Sequence, residues 1–420
     1  MIGGERWRVP VPGMRKLIPG GLLLASLLTP FAALADEPSL TFNGYATFGL
    51  LHSSEERADY IPNPLRSRGA GRSGNPNVET DSLAALQIDY QTGSRLSATV
   101  QLVAEQDYRR DFRPRLEWAN LQYSISDDVE IRVGRIALNT FMVSDYRKVG
   151  FALPWVRPPA ELYQLAGFSN SDGVDITYHF SQAGFNYSGQ IVYGRNRLTE
   201  TAGDVEVPNL WGLFQRLERG PLTVHTSYLS PKVLFGRAEP LWEAYRAFGP
   251  AGEAVVTDYD AAGRRSSFQV YGFAWDPGDW FAQAEWGRGD TASGFGDRVG
   301  WYASTGIRLG DWTPYLTYAR TEGRQRDVRG LEPGQFDPAL TPVIDELNNT
   351  LFLLQSGTSP QQHTVSAGAR WDFRPGMSAK LQYDRISVRD GSIGLFRNLS
   401  DSRYRPDGAD IFSLSLDVLF

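Results

Sequence analysis

The side chains of this chain that could do chemistry are mainly fixed charges, and nearly all the positive ones are arginines. Only four of the 42 basic residues are lysines, and the chain has no cysteine. A guanidinium is planar, stays charged, and recognises carboxylate or phosphate groups through paired hydrogen bonds. The composition therefore favours electrostatic recognition of anionic groups.

Two groups of charges are predicted to face each other across a water-filled passage. Arg95, Arg132 and Arg135 would share one stretch of wall, opposed by Asp145 and Glu161 on a long loop. Opposed charges at a constriction set which ions enter and orient dipolar solutes. Basic residues on the same loop would make the constriction locally cationic, unless they are simply solvated loop charges. The predicted lining is Arg95, Glu130, Arg132, Arg135, Asp145, Arg147, Lys148, Arg157 and Glu161.

Strands with a two-residue period must position these charges. Between Arg95 and Glu105 the even positions are all aliphatic, whereas most odd positions are polar. The last eleven residues alternate in the same way, and a strand with one apolar face belongs in a sheet whose sides meet different solvents. A terminal aromatic suits a strand that ends at a membrane surface. The apolar face of this last strand, the predicted membrane-insertion signal, is Phe412, Leu414, Leu416, Val418 and Phe420.

This alternation recurs in about sixteen segments, whose connections are alternately short and long. The pattern predicts an all-β fold, a transmembrane antiparallel up-and-down barrel with short periplasmic turns and long extracellular loops. Inward-facing polar residues such as Glu285, Lys380, Gln382 and Asp384 predict a hydrated interior, because isolated charges in a dry core cost several kcal/mol each. Helical patterns occur only in loops, at Pro158–Leu165, Pro240–Phe248 and Pro342–Leu354.

The ends of the chain predict its destination. Residues 1–35 have a basic start, an apolar stretch and an Ala33-Leu34-Ala35 cleavage site, which is typical of a secretory signal peptide read by the Sec pathway. Its removal leaves a single barrel domain, residues 36–420, with 38 basic and 47 acidic residues. That acidic balance argues against nucleic-acid binding.

At this point the chain resembles the Gram-negative outer-membrane porin superfamily. The matching features are the signal, the early strand Leu40–Tyr45, the Val133–Arg135 strand end before a long third loop, and the terminal Phe420. The resemblance implies that the loop 136–171 folds into the barrel and narrows it. It also implies a homotrimer in which small hydrophilic solutes cross by diffusion. The loop differs from the acidic Pro-Glu-Phe-Gly-Gly type of the general porins.

Two other classes remain as alternatives. A barrel enzyme of the phospholipase or protease kind needs a nucleophile and a base, but the four histidines stand in no G-x-S-x-G or H-E-x-x-H motif. A binding or adhesion barrel would act through its loops. No cofactor is implied, and no acidic spacing matches a calcium loop. The expected partners are outer-membrane lipid and lipopolysaccharide, the barrel-insertion machinery and further copies of the chain.

Overall fold

A computed structural model describes residues 38–200, 203–235, 239–260, 264–291, 297–323, 329–389 and 391–420. The predicted signal peptide, residues 1–35, lies outside the described residues. In chain order the strands are β1 Ser39–Ser53, β2 Asp59–Tyr60, β3 Ala70–Gly71, β4 Leu83–Thr92, β5 Leu96–Glu105, β6 Arg115–Ser124, β7 Val129–Ala137, β8 Asn170–Gln182, β9 Phe185–Glu200, β10 Gly203–Arg219, β11 Leu222–Phe235, β12 Ser267–Trp275, β13 Trp280–Asp290, β14 Arg298–Ile307, β15 Trp312–Gly323, β16 Gln361–Arg374, β17 Met377–Val388, β18 Phe396–Arg397 and β19 Gly408–Leu419. The helices are α1 Ala160–Tyr163, α2 Glu239–Arg246, α3 Pro250–Tyr259 and α4 Thr341–Thr358.

Sixteen of these strands form one closed antiparallel barrel, which confirms the predicted architecture. β1 closes the cylinder by pairing with β4 on one side and with β19 on the other. Ser39 pairs with Gln91, next to the β4–β5 turn, and Tyr45 pairs with Leu419. The first barrel strand, β1, therefore begins at the rim that carries the short turns, and the last strand, β19, ends at the same rim. The remaining three strands, β18, β2 and β3, form a small separate sheet in the long loops.

The wall has an apolar outer face and a polar inner face, as the two-residue period predicts. On β19, Phe412 and Leu414 are 49% and 48% exposed, whereas Ser413 between them is fully buried. Within the described residues no helix is long and apolar enough to span a membrane.

Aromatic rings border the apolar outer face. Towards the long loops, Tyr271 lies 6.0 Å from Trp286, and Trp301 lies 5.3 Å from Tyr318, measured between ring centroids. Towards the short turns, the rings of Trp312 and Trp371 stack at 5.3 Å. Indole and phenol rings are stable at the headgroup level, so these two bands mark the membrane interfaces.

The largest departure from the predicted strands is the β9–β10 hairpin. The sequence pattern predicts strands that end at Tyr193 and begin at Leu210, but β9 continues to Glu200 and β10 starts at Gly203. The register of β10 shifts between Val207 and Leu210, around Pro208. A bulge adds a residue, which reverses the alternation, and a proline removes a ladder donor, so the strand pattern is lost there. Among the helices, α1 is shorter and α4 longer than predicted, and α3 is not predicted.

The outer face allows a direct test of membrane contact. Leu381 on β17 is 54% exposed and lies between the aromatic bands. Because a guanidinium is costly to place in hydrocarbon, Leu381→Arg should lower the free energy of unfolding by about 2–4 kcal/mol. Denaturant titration in phospholipid vesicles measures this. The control is Leu340→Arg, which changes an exposed leucine next to α4, outside the wall. Equal effects of the two substitutions would contradict the assignment.

Candidate functional site

The connection between β7 and β8, residues 138–169, folds into the barrel and is called the constriction loop here. The predicted loop, 136–171, includes two residues at each end that belong to the strands. The loop presses its apolar side chains against the inner faces of β12–β15. The buried cluster formed in this way is Phe141, Met142, Val143, Leu153, Trp155, Leu162, Tyr163, Leu165, Ala166, Val270, Phe281, Tyr302, Tyr315 and Ala319.

Three inward-facing glycines make room for this loop. A Cβ added at Gly300 would collide with the backbone oxygen of Glu161, and at Gly272 it would lie 2.5 Å from Met142 Cγ. At Gly287 it would lie 2.9 Å from a methyl carbon of Leu162. Real Cβ atoms do not approach other atoms this closely, so the loop can seat only if the wall lacks a side chain at these three positions.

Polar wall residues also bind the loop. The indole nitrogen of Trp155 donates to Ser304 Oγ at 2.9 Å, and Tyr163 donates to Glu285 at 2.7 Å. Lys380 Nζ donates to the carbonyls of Gly150 and Trp155 at 2.6 and 2.8 Å. Glu285, Lys380, Gln382 and Asp384 are therefore buried under the loop. Their predicted exposure to a hydrated lumen is wrong, because the loop replaces the water on this side.

Two residues of the predicted constriction are held at the wall. Arg157 binds Asp81 at 2.6 Å and Asp384 at 3.2 Å. Burial opposes its charge, but these two carboxylates hold the pKa of the Arg157 guanidinium above its usual range. The Glu161 carboxylate accepts from Gln362 at 2.7 Å and from Thr364, and burial raises its pKa. Both side chains therefore dock the loop.

Lys148 spans from the constriction loop to the wall of β5 and β6. Its ammonium binds Glu105 at 2.6 Å and Glu117 at 2.9 Å. Burial disfavours this charge, yet the two carboxylates raise the pKa of Lys148. Glu105 also accepts from Arg66 of the β1–β4 connection at 3.0 Å. One carboxylate thus binds two different long loops.

The structure does not bring the three predicted wall arginines together. Arg95 is exposed in the β4–β5 turn, because β5 starts at Leu96, not at Arg95. Arg132 faces the lumen and binds the buried Asp175 at 2.9 Å. Arg135, three residues further, projects from the opposite face of β7 and binds Asp172 at 2.6 Å. Strand alternation puts residues three apart on opposite faces, which is why the predicted stretch does not form.

Arg135 occupies a place where the wall is incompletely paired. Pairing of β6 with β7 ends at Ala119 and Arg135, although β6 starts four residues earlier, at Arg115. Arg135 Nη1 donates to the carbonyl of Leu116 at 3.1 Å. The guanidinium satisfies a backbone acceptor that the neighbouring strand leaves unpaired.

The other predicted residues divide between the two sides of the loop. Glu130, near the short-turn rim, accepts from Gln122 at 2.7 Å. Asp145 lies within the constriction loop, where burial raises the pKa of its carboxyl against the opposing charges of Arg216 and Arg132. The neighbouring Arg147 faces a large cavity.

This cavity, called the vestibule, has a volume of about 760 Å³ and lies on the long-loop side of the constriction loop, against β4–β9. Fifteen charged residues border it, nine basic and six acidic, and these include the outward-projecting pair Arg135 and Asp172 at its edge. The basic residues are Arg66, Arg109, Arg113, Arg115, Arg135, Arg147, Lys148, Arg157 and Arg197. The acidic residues are Asp81, Glu105, Asp107, Asp111, Glu117 and Asp172. Every one of these carboxylates forms an ion pair with a residue of the basic group.

The predicted lining omits Arg66, Asp81, Glu105 and Glu117. The alternation of β5 does predict that Glu105 faces inward, but it does not indicate that Glu105 contacts the constriction loop. Glu117 stands at a register shift of β6, and the other two lie in a loop without periodicity. No sequence pattern indicates their partners.

The described histidines form no arrangement typical of an enzyme. His225 contacts the carbonyl of Thr140 at 3.2 Å, and His179 lies 3.6 Å from Glu130. In the ranges that the structure describes, no group of three or more His, Cys, Asp or Glu side chains could hold a metal ion.

A Gram-negative porin family model matches residues 22–391, which is most of the chain. The chain belongs to the Gram-negative porin family. The family and the barrel fold identify an outer-membrane porin channel. No curated protein matches this porin in sequence.

Solved porin structures share the fold of this porin at low sequence identity. OmpF of Salmonella typhi, in a complex with daunomycin, is 15% identical with a TM-score of 0.55 over 91% of this chain and 97% of its own. An anion-selective porin from Comamonas acidovorans is 13% identical with a TM-score of 0.56 over 91% and 100%. OmpT of Vibrio cholerae, in a trimer form, is 11% identical with a TM-score of 0.50 over 92% and 100%. At these identities the likeness establishes the fold alone.

The role of Gly300 in making room for the constriction loop can be tested by adding one methyl group to the wall. Gly300→Ala should push α1 away from the wall into the passage, because its Cβ has no space beside Glu161. We expect a lower single-channel conductance and a loss of about 1–3 kcal/mol in the free energy of unfolding. Gly74→Ala is the control, since a Cβ at Gly74 meets no atom within 4 Å. Unchanged conductance in a folded Gly300→Ala barrel would contradict the packing of the constriction loop against Gly300.

Proposed function

We propose that this porin is a passive channel whose vestibule favours anionic solutes. The single observation that carries the proposal is the imbalance of the vestibule, where nine basic side chains exceed six acidic ones although the whole chain has a net charge of −6. Fixed charges of one sign in a confined passage raise the local concentration of the opposite ions. Arg197 pairs with Glu206 outside this lining, which leaves Arg109 and Arg147 as the cations without an ion pair among the described residues, and their charge opposes the sign of the protein as a whole.

The pairing of the charges strengthens this proposal. Because each vestibule carboxylate is neutralised by a basic partner, the unbalanced charge is positive. Arg147 forms no ion pair with any residue in the described part of the chain. Arg109 packs at 5.1 Å over the ring of Tyr108. These two guanidinium groups line the vestibule and are available to attract a carboxylate or phosphate from solution.

Arg132 and Asp145 supply a second, weaker element of selectivity. Arg132 projects from β7 and acts electrostatically on Asp145 of the constriction loop. The Arg132 charge is largely offset by Asp175. We therefore assign the anion preference to the vestibule, with the constriction acting mainly on solute size.

The same proposal includes export through the Sec pathway, insertion guided by the apolar face of β19, and diffusion without enzymatic turnover. The histidine contacts in the described residues supply no nucleophile and base, which favours a channel over a barrel enzyme. Lipopolysaccharide would surround the barrel at its long-loop rim, as the upper aromatic band suggests.

Charge reversal at Arg147 tests the anion preference. In a planar bilayer under a KCl gradient, the wild-type zero-current potential should have the sign of anion preference. Arg147→Glu should shift this potential towards cation preference, because it exchanges an unpaired positive charge for a negative one. Arg246→Glu on α2, which carries the same change of charge outside the vestibule, should shift it little. Cation preference in the wild type would refute the proposal.

A homotrimer is proposed through the outer faces of β4, β5 and β6. Outward-facing tryptophans of the described residues lie on β10–β16, and none lies on these three strands. Towards the long loops, their outer positions include Ala84, Leu102, Ala104 and Leu116. The half of this face towards the long loops is therefore aliphatic and lacks interfacial indoles, which suits contact with another barrel better than contact with headgroups.

A matched pair of substitutions tests this face. Val100 on β5 and Val365 on β16 are 38% and 41% exposed on the outer wall. Val100→Trp should dissociate the trimer, because the indole cannot fit between two packed walls, whereas Val365→Trp should leave it intact in lipid. Native mass spectrometry in detergent measures the oligomeric state. Dissociation by Val365→Trp alone would place the interface on the opposite side.

A further inference from the structure

One side of the vestibule is apolar, although the proposed anion preference needs only charge. Pro62, Pro64 and Leu65, in the connection between β1 and β4, line the cavity and are called the shelf. Pro64 is exposed and the other two are half-buried. A Cβ added at Gly167 of the constriction loop would lie 3.7 Å from Pro64, so the shelf reaches that loop.

The shelf is held rigidly from both sides. Before it, the carbonyl of Ile61 accepts from Gln164 of the constriction loop at 2.8 Å. Within it, the amide of Leu65 donates to the side chain of Asn63 at 3.0 Å, and the prolines fix their own φ angles. After it, Arg66 binds Glu105 at 3.0 Å. A surface that is ordered before a solute arrives costs little entropy on binding.

The shelf lies beside the positive charge of the vestibule. Arg66, which directly follows the shelf, and Lys148 both bind Glu105. Arg147 precedes Lys148 in the chain, and its charge acts on both Glu105 and Lys148. The shelf and the unpaired Arg147 therefore line the same cavity, and the next residue in the chain after each of them, Arg66 and Lys148, binds the same carboxylate.

From this placement we propose that the vestibule binds organic anions that carry a hydrophobic body, with aromatic carboxylates as the best-matched class. The carboxylate would bind Arg147, and the ring would rest on Pro62, Pro64 and Leu65. The cavity volume of about 760 Å³ lies in the range of small-molecule sites. The inference rests on the proposed anion channel and adds a solute class to it.

Three probes separate charge from hydrophobic contact. Benzoate, acetate and benzyl alcohol are added in turn to the long-loop side of single channels that carry a KCl current. Benzoate should block reversibly at a concentration at least about tenfold lower than acetate, because only benzoate can use the shelf as well as Arg147. Benzyl alcohol, which has the ring but no charge, should not block at the benzoate concentration.

Variants locate the site. Leu65→Ser removes apolar contact and should raise the half-blocking concentration of benzoate about threefold, without changing that of acetate. Arg147→Gln should raise it about tenfold, which corresponds to the loss of one charge-assisted hydrogen bond. Leu65→Met keeps an apolar side chain and should retain the block. Leu340→Ser, outside the vestibule, is the control.

The outcomes distinguish this inference from the proposed function. A channel that prefers anions but is blocked equally by benzoate and acetate would overturn the organic-anion site and leave the anion porin standing. Cation preference, or the absence of any conductance, would overturn both. Block by benzoate that persists in a folded Leu65→Ser and Arg147→Gln double variant would place the site elsewhere and refute it.

Discussion

Within hydrocarbon, no water is available to the peptide groups, so each N–H and C=O must find its partner inside the protein. Here the requirement is met by pairing β1 with β19, which turns an open sheet into a cylinder without edges. Every other property of the wall follows from that closure. Once the backbone is satisfied, successive side chains must alternate between lipid and interior, so charges that lie at the depth of the hydrocarbon belong on the inner face.

One side of the barrel interior is filled by the constriction loop, and the other side remains open to solutes. On the side of β12–β17, the constriction loop fills the lumen, and its residues Trp155, Tyr163 and Arg157 bind Ser304, Glu285 and Asp384 of the wall. On the side of β4–β9, the space remains open as the vestibule. Because each carboxylate around that space is already bound to a basic residue, we propose that the charges that remain for a solute are few and positive. The narrowing therefore determines where ions pass as well as how wide the passage is.

The fold could be predicted from sequence because closure of the barrel requires apolar outward-facing and polar inward-facing side chains to alternate along each strand. The alternation failed at register shifts, such as those at Pro208 and Glu117, and at strand ends such as Arg95. The site was harder to predict, because the partners of Arg157 and Glu161 depend on how a loop without periodicity seats in the barrel. Arg135 is different, since its spacing of three from Arg132 already implies opposite faces. The vestibule depends on Arg66, Asp81 and Glu117, whose pairings are purely tertiary.

Glu105 couples two long loops at the mouth of the barrel. The same carboxylate binds Arg66 of the first long loop and Lys148 of the constriction loop. If Arg66 or Lys148 dissociates from Glu105, the remaining cation keeps a carboxylate partner that is now more accessible to water. The free energies of the two dissociations are therefore not additive. Thermal fluctuations of the two loops should consequently be correlated, so that the width of the entrance changes through a joint movement of both loops.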